Sequence, residues 1–154
     1  MVSREQPIPG SDMSDRDVTV SESGNGPYGQ FITSGHHIMG ADEPEDLGGR
    51  DTGPDPYELL MSALGACTAM TLRMYASRHQ WPVDHIEVRL HHVQRAGGAE
   101  VRDRFERVVK IRGDVTDEQR ARLIEIADRC PVSQTLQRSS EVTTLLAGEG
   151  QATD

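Results

Sequence analysis

DPYELLMSALGACTAMTLRMYASRH, residues 55–79, is the stretch around which the rest of the chain must be arranged. Asp55 fits a helix N-cap, Pro56 the first helical position, and Glu58 a first turn whose dipole favours a negative charge. Leu60, Leu64, Cys67, Thr71 and Met74 fall on one face at helical spacing, and Met61, Ala63, Ala66 and Met70 widen it. Met61, Met70 and Met74 read as core filling. A helix apolar on nearly every side has to be enclosed. From Pro56 to His79 it would run about 36 Å, close to the width of a domain of this size. Its longest apolar run, Leu59 to Leu72 between Glu58 and Arg73, is 14 residues. A bilayer span needs roughly 20, so the expectation is a core helix and no membrane. One small sheet would not cover such a helix. A second copy of the chain is the simplest cover, which predicts a homodimer.

On the N-terminal side, Asp17 to Glu22 alternates, and Gly24-Asn25-Gly26-Pro27 signals a turn. Further strands are expected near Tyr28 to Thr33 and around His36 to Met39, which makes an antiparallel meander. Ala41 to Pro54 is loop by its acidic, Gly and Pro content. On the other side, Trp81 and Pro82 close the helix. Asp84 to Gln94 alternates Ile86, Val88 and Leu90 against Glu87, Arg89 and His91; after a Gly-containing turn over Arg95 to Glu100, Arg104 to Arg112 alternates through Phe105, Arg107, Val109 and Ile111. These two strands predict a hairpin. Thr116 and Gln119 form a capping-box pattern for a helix over Asp117 to Arg129, its apolar side Leu123, Ile124 and Ala127. Pro131 stops that helix, and Glu141 to Leu146 reads as a final strand. The expected fold is thus α+β, a single domain over 17–146. Its ends, 1–16 and 147–154, read from composition as mobile tails.

The chain has 154 residues, 35% of them hydrophobic, with 25 acidic against 16 basic side chains and a formal charge of −9. That balance argues against nucleic acid as a partner, since phosphate binding needs a basic face. The first sixteen residues lack an apolar core like that of a signal peptide. The two cysteines, Cys67 and Cys130, are too few for a secreted disulfide scaffold. A reducing, cytoplasmic setting follows as the expectation. The histidine pairs His36-His37 and His91-His92 sit on alternating strands, where neighbours point to opposite faces. Neither has metal-ligand spacing to a cysteine, so neither a metal nor a cofactor is expected.

GPDPYELLMSALGACTAMTL followed by ADRCPVSQTL resembles the OsmC/Ohr family, the osmotically induced and organic-hydroperoxide-resistance proteins. The proline-led helix carrying Cys67 and the Cys-Pro-Val after a later helix are the paired signatures, and the likeness extends over roughly Asp17 to Leu146. The resemblance implies an intertwined homodimer with active sites at the subunit interface. It also implies thiol-dependent reduction of organic hydroperoxides, a thiol peroxidase activity, with a small dithiol such as a lipoyl group returning the electrons. Carried over by motif, Cys67 is the peroxidatic nucleophile and Cys130 the resolving thiol.

In the hydroperoxide-resistance subgroup an Arg in the N-terminal strands and a Glu at the helix start orient the cysteine. Here no Arg occurs from Asp17 through Gly49, so Arg50 takes that place by neighbourhood, and Glu58 comes one residue after the family's position. This arrangement is more similar to the broader OsmC-like branch. The competing expectation is a non-catalytic dimer that binds an apolar small molecule at its interface, with Cys67 an inert buried thiol.

Overall fold

A computed structural model of the protein describes residues 17–93, 103–138 and 140–146. Both expected tails and the expected turn over Arg95 to Glu100 lie outside the described residues. The chain forms two compact units, one running through Leu60 and the other from Met61 onward.

In the first unit, β1 (Val18–Glu22), β2 (Gln30–Ser34) and β3 (His37–Ala41) form an antiparallel meander, in register at Val20, Ile32 and Met39. Ile32 and Ala41 turn inward and are buried. The loop after β3 is organised by the buried carboxylate of Asp42. Its Oδ1 accepts the Glu43 N–H at 2.8 Å; its Oδ2 accepts the Thr52 hydroxyl at 2.8 Å and the backbone N–H groups of Arg50 and Thr52, each at 3.2 Å. The loop contains one short 3-10 turn, Glu45–Leu47.

The central helix α1 spans Pro56–Arg78, as expected. Its start is a reciprocal cap: the Glu58 N–H donates to Asp55 Oδ1 at 2.8 Å and the Asp55 N–H to Glu58 Oε2 at 3.0 Å. Its end is a Schellman closure, with the Trp81 N–H on Ala76 O at 2.9 Å, the Gln80 N–H on Ser77 O at 3.1 Å, and Gln80 left-handed at φ 55°. The buried positions are Leu64, Gly65, Thr68, Leu72 and Ala76. This corrects the expected centre of the face, because Cys67 and Thr71 flank the buried stripe. It also corrects the role of two methionines: Met70 is 65% and Met74 52% exposed in the single chain.

In the second unit, β4 (Val83–Val93) and β5 (Arg104–Gly113) form the expected antiparallel hairpin, with a register irregularity between Val83 and His85. Gly65 admits β4 to α1, since a Cβ there would lie 2.8 Å from Leu90 Cδ1. The helix α2 (Asp117–Ala127) opens with the expected capping box between Thr116 and Gln119. Its buried face is Leu123, Ile126 and Ala127, the i, i+3, i+4 stripe, whereas Ile124 is half exposed. The core gathers these with Leu72, Ala76, Val83 and Val115, and Trp81, Val109 and Ile111 pack against it. Pro131 starts a further short helix, α3 (Pro131–Gln137). Residues 141–146 form no strand: their Val and Thr residues favour one, but no described strand pairs with them, and Val142, Leu145 and Leu146 are exposed.

By length and composition α1 would suit a bilayer, with a mean hydropathy of 1.2. Its middle, however, carries a fully buried Thr68 whose hydroxyl accepts from an arginine, a contact that requires a protein surround.

Candidate active site

Four elements of the second unit meet at the two cysteines. Cys67 is half buried on α1, beside the fully buried Thr68. Cys130 is fully buried as the residue that caps α3, held there because Pro131 obliges α2 to end and a new helix to begin. Its sulfur accepts the Ser133 N–H at 3.3 Å and lies 3.7 Å from the Thr68 hydroxyl. Both thiols are free, and each feels the ionisation of the other directly.

β5 supplies the site's cation, which the sequence marks only by its place in the strand's alternation. Arg107, only 13% exposed, donates through Nη1 to Thr68 Oγ1 at 2.9 Å and to Ala127 O at 3.0 Å. Through Nη2 it donates to Asp128 Oδ1 at 2.8 Å. The guanidinium thus satisfies a carbonyl at the C-terminal end of α2 and pins α2 and α1 to the hairpin. Thr68 stands between the charge and the sulfur. Its hydroxyl also reaches Leu64 O at 2.7 Å, so its single proton serves either that carbonyl or Cys130, while its lone pairs receive the Arg107 N–H. The signal was in the alternation of β5: Arg107 has the parity of Phe105, Val109 and Ile111, the inward one. A charge placed on the apolar parity of a strand needs a partner inside.

The surroundings split the two thiols. Burial raises the pKa of Cys67 above its ordinary 9.0 and the neighbouring Cys130 raises it further, outweighing the Val132 N–H and the Thr71 hydroxyl that lower it. Burial also pushes Cys130 upward, but the Ser133 N–H, the Thr68 hydroxyl, the Cys67 thiol and the charge of Arg107 outweigh it, so Cys130 falls below 9.0. When the pair ionises, these surroundings therefore favour the charge on Cys130 over Cys67.

Of the four residues expected at the site, the structure brings Cys67 and Cys130 together. Glu58 is engaged in the α1 cap with Asp55, and Arg50 donates through Nη1 to Asn25 Oδ1 at 3.0 Å. Among the described residues, no group of three His, Cys, Asp or Glu side chains is placed to hold a metal ion.

The family model of OsmC-like proteins matches residues 48–145, and the chain belongs to that family. Solved structures agree on the fold. An OsmC-like protein from Mycoplasma pneumoniae superposes with a TM-score of 0.68 at 18% identity, over 81% of this chain and 89% of that one. An organic hydroperoxide resistance protein OsmC from Legionella pneumophila gives 0.64 at 16% identity, over 81% and 90%. The organic hydroperoxide resistance protein OhrB of Bacillus subtilis gives 0.55 at 23% identity, over 77% and 87%. No curated protein matches the chain.

Proposed function

We propose that the protein is a thiol peroxidase that reduces organic hydroperoxides to alcohols. The observation that carries this reading is the pairing of a half-exposed thiol, Cys67, with a buried thiol, Cys130, near enough to shift each other's pKa, inside a fold shared with hydroperoxide resistance proteins. Cys67 is the sulfur a substrate can reach. With the pair singly ionised, the Cys67 proton passes to Cys130 as the Cys67 sulfur attacks the terminal oxygen of the hydroperoxide; the O–O bond breaks, Cys67 becomes a sulfenic acid, and the alkoxide takes that proton from Cys130 to leave as alcohol. Cys130, again a thiolate, then attacks the Cys67 sulfur, forming the disulfide and releasing hydroxide, which leaves as water. A small dithiol of the lipoyl kind restores both thiols and is itself oxidised. For Arg50 and Glu58 the bonds in hand are local ones, so the reading rests on the two thiols.

The working form is a homodimer, supported by the exposure of Met70 and Met74 on an apolar helix and of Val142, Leu145 and Leu146 beyond α3. An apolar face beside Cys67 would also suit the alkyl chain of a hydroperoxide.

Stoichiometric cumene hydroperoxide added to the reduced protein, followed by intact mass, tests the reading. The expected product has lost two hydrogens, as a Cys67–Cys130 disulfide. Cys130→Ser should stop at the Cys67 sulfenic acid, trappable with dimedone, and Cys67→Ser should consume no hydroperoxide. A wild-type protein whose thiols stay reduced would defeat the peroxidase reading and leave an apolar-ligand-binding dimer.

A further inference from the structure

The Arg107–Thr68–Cys130 chain does more than hold three elements together. Among the described residues, the charged and titratable groups that act on Cys130 are Cys67 from α1 and Arg107 from β5, and Arg107 is in turn bonded to Asp128 at the end of α2. Asp128 offsets part of the guanidinium charge, but it lies on the outer side and is 74% exposed, so water screens it. Arg107 is enclosed, and its Nη1 points inward to Thr68. When Cys130 is a thiol, the Thr68 proton rests on Leu64 O at 2.7 Å; when it is a thiolate, the same proton can turn to sulfur, with the hydroxyl polarised by Arg107 behind it.

We infer that Arg107 is a positioning residue which, through Thr68, holds Cys130 as the thiolate member of the pair and so makes it the leaving group when an external thiol opens the Cys67–Cys130 disulfide. This rests on the redox-pair reading above and specifies its reductive half. An incoming thiolate has two sulfurs to choose from. Cys130 is fully buried and Cys67 is half exposed, so access favours Cys67. Leaving ability favours the same outcome, because the sulfur that leaves faster is the one whose thiolate is better stabilised. The new bond forms between the reductant sulfur and Cys67, the old S–S bond breaks, and its electron pair goes to Cys130, where Thr68 and the Ser133 N–H receive it. The second thiolate of the dithiol then attacks the reductant sulfur of this mixed disulfide. Cys67 is released as a thiolate and takes up a proton, and the reductant leaves as its cyclic disulfide.

The test reads pH profiles at each cysteine of the reduced full-length protein, by iodoacetamide alkylation resolved by peptide mass spectrometry. No hydroperoxide is used, so a failed peroxidase reading does not affect it. The pH dependence rather than the absolute rate is compared, which removes the difference in access. In the wild type the Cys130 profile should lie at lower pH than that of Cys67. In Arg107→Gln it should move upward by about one pH unit, a tenfold loss of thiolate at neutral pH. The Cys67 profile should move the other way, because its neighbour no longer carries charge. Arg107→Lys should recover part of the shift. A lower profile for Cys67 in the wild type, or an unmoved Cys130 profile in a folded Arg107→Gln protein, overturns the inference.

If Arg107→Gln does not fold, Thr68→Val takes its place in the alkylation test, and the leaving group itself is read on the wild type by a second measurement. The disulfide is made with diamide, opened with glutathione, and quenched with N-ethylmaleimide. Glutathione on Cys67 with maleimide on Cys130 is the expected pattern, and the reverse pattern overturns the inference.

Discussion

Arg107 looks, in the sequence, like one of many charges on a half-exposed hairpin, and only its parity marks it. It replaces an apolar side chain on the inward row of β5 and is made tolerable there by Thr68, Ala127 O and Asp128. Thr68→Val tests the middle of that chain with almost no change in volume. It should raise the Cys130 alkylation profile in the same direction as Arg107→Gln. It should also cost about 1–2 kcal/mol in urea unfolding, because one donor of a buried guanidinium loses an acceptor. Asp42 gives a separate residue-scale prediction. The Thr52 hydroxyl foremost, with the N–H groups of Thr52, Glu43 and Arg50, holds its carboxyl below the ordinary 3.8 against the effect of burial. A carboxyl whose pKa is depressed on folding contributes stability above its unfolded value and loses it as pH falls through the folded one. The wild type should therefore lose melting temperature on acidification below about pH 4, and Asp42→Asn, less stable at neutral pH, should show a shallower acid decline. Equal acid slopes in the two proteins would contradict the role assigned to this carboxylate. The flanking motifs point to the two cysteines that the structure brings together. The arginine near them could not be read from those motifs, since it lies forty residues from one and twenty-three from the other in sequence.

At the scale of elements, the periodic segments read well and the aperiodic ones less so. α1, the hairpin and α2 were legible because caps and alternation are local signals: Asp55 with Glu58, Thr116 with Gln119, and the period-two rows of β4 and β5 all sit where the structure has them. The face of α1 was not legible. A helix apolar all round offers no contrast by which to choose a side, and the structure selects the i, i+4 ladder Leu64, Thr68, Leu72 and Ala76. Ile124 was placed on the inner face of α2 by hydrophobicity alone, when the buried stripe there takes Ile126 instead. Segment 141–146 has a strand's β-branched composition without a strand's partner, and pairing is not a property a segment has by itself. The end of α1 yields a prediction. Gln80 occupies the left-handed position of the Schellman closure at φ 55°, where a side chain is strained and glycine is not. Gln80→Gly should stabilise the protein by about 0.5–1 kcal/mol, the relief of strain exceeding the added freedom of the unfolded chain. Chemical denaturation measures it, and a loss of stability would show that Gln80 contributes through its side chain.

For the whole molecule the unresolved balance is apolar surface. The second unit leaves Met70 and Met74 open on a helix whose opposite side is fully packed, and Leu145 and Leu146 open beyond α3. The first unit leaves Val18, Val20 and Met39 open on one face of its three-stranded sheet and Phe31 and Ile38 open on the other. Scattered exposed hydrophobes need no explanation, but methionines open along an apolar helix are what an obligate interface presents when its partner is removed, and the sheet of the first unit carries open apolar side chains of its own. A pairing of two identical copies fits both the proposed homodimer and a chain whose formal charge of −9 would otherwise keep copies apart, since apolar burial acts at contact where screened charge does not. Burying a methionine is worth about 1.5–3 kcal/mol, and a symmetric interface counts each substitution twice. Met70→Glu should therefore weaken the dimer by roughly two to four orders of magnitude in Kd. Sedimentation equilibrium across a concentration series should show twice the chain mass for the wild type and a dissociating species for Met70→Glu. A wild-type chain that sediments as a monomer at every concentration would remove the dimer from the proposal. It would leave the Cys67–Cys130 pair, which the alkylation profiles test on the single chain, standing on its own.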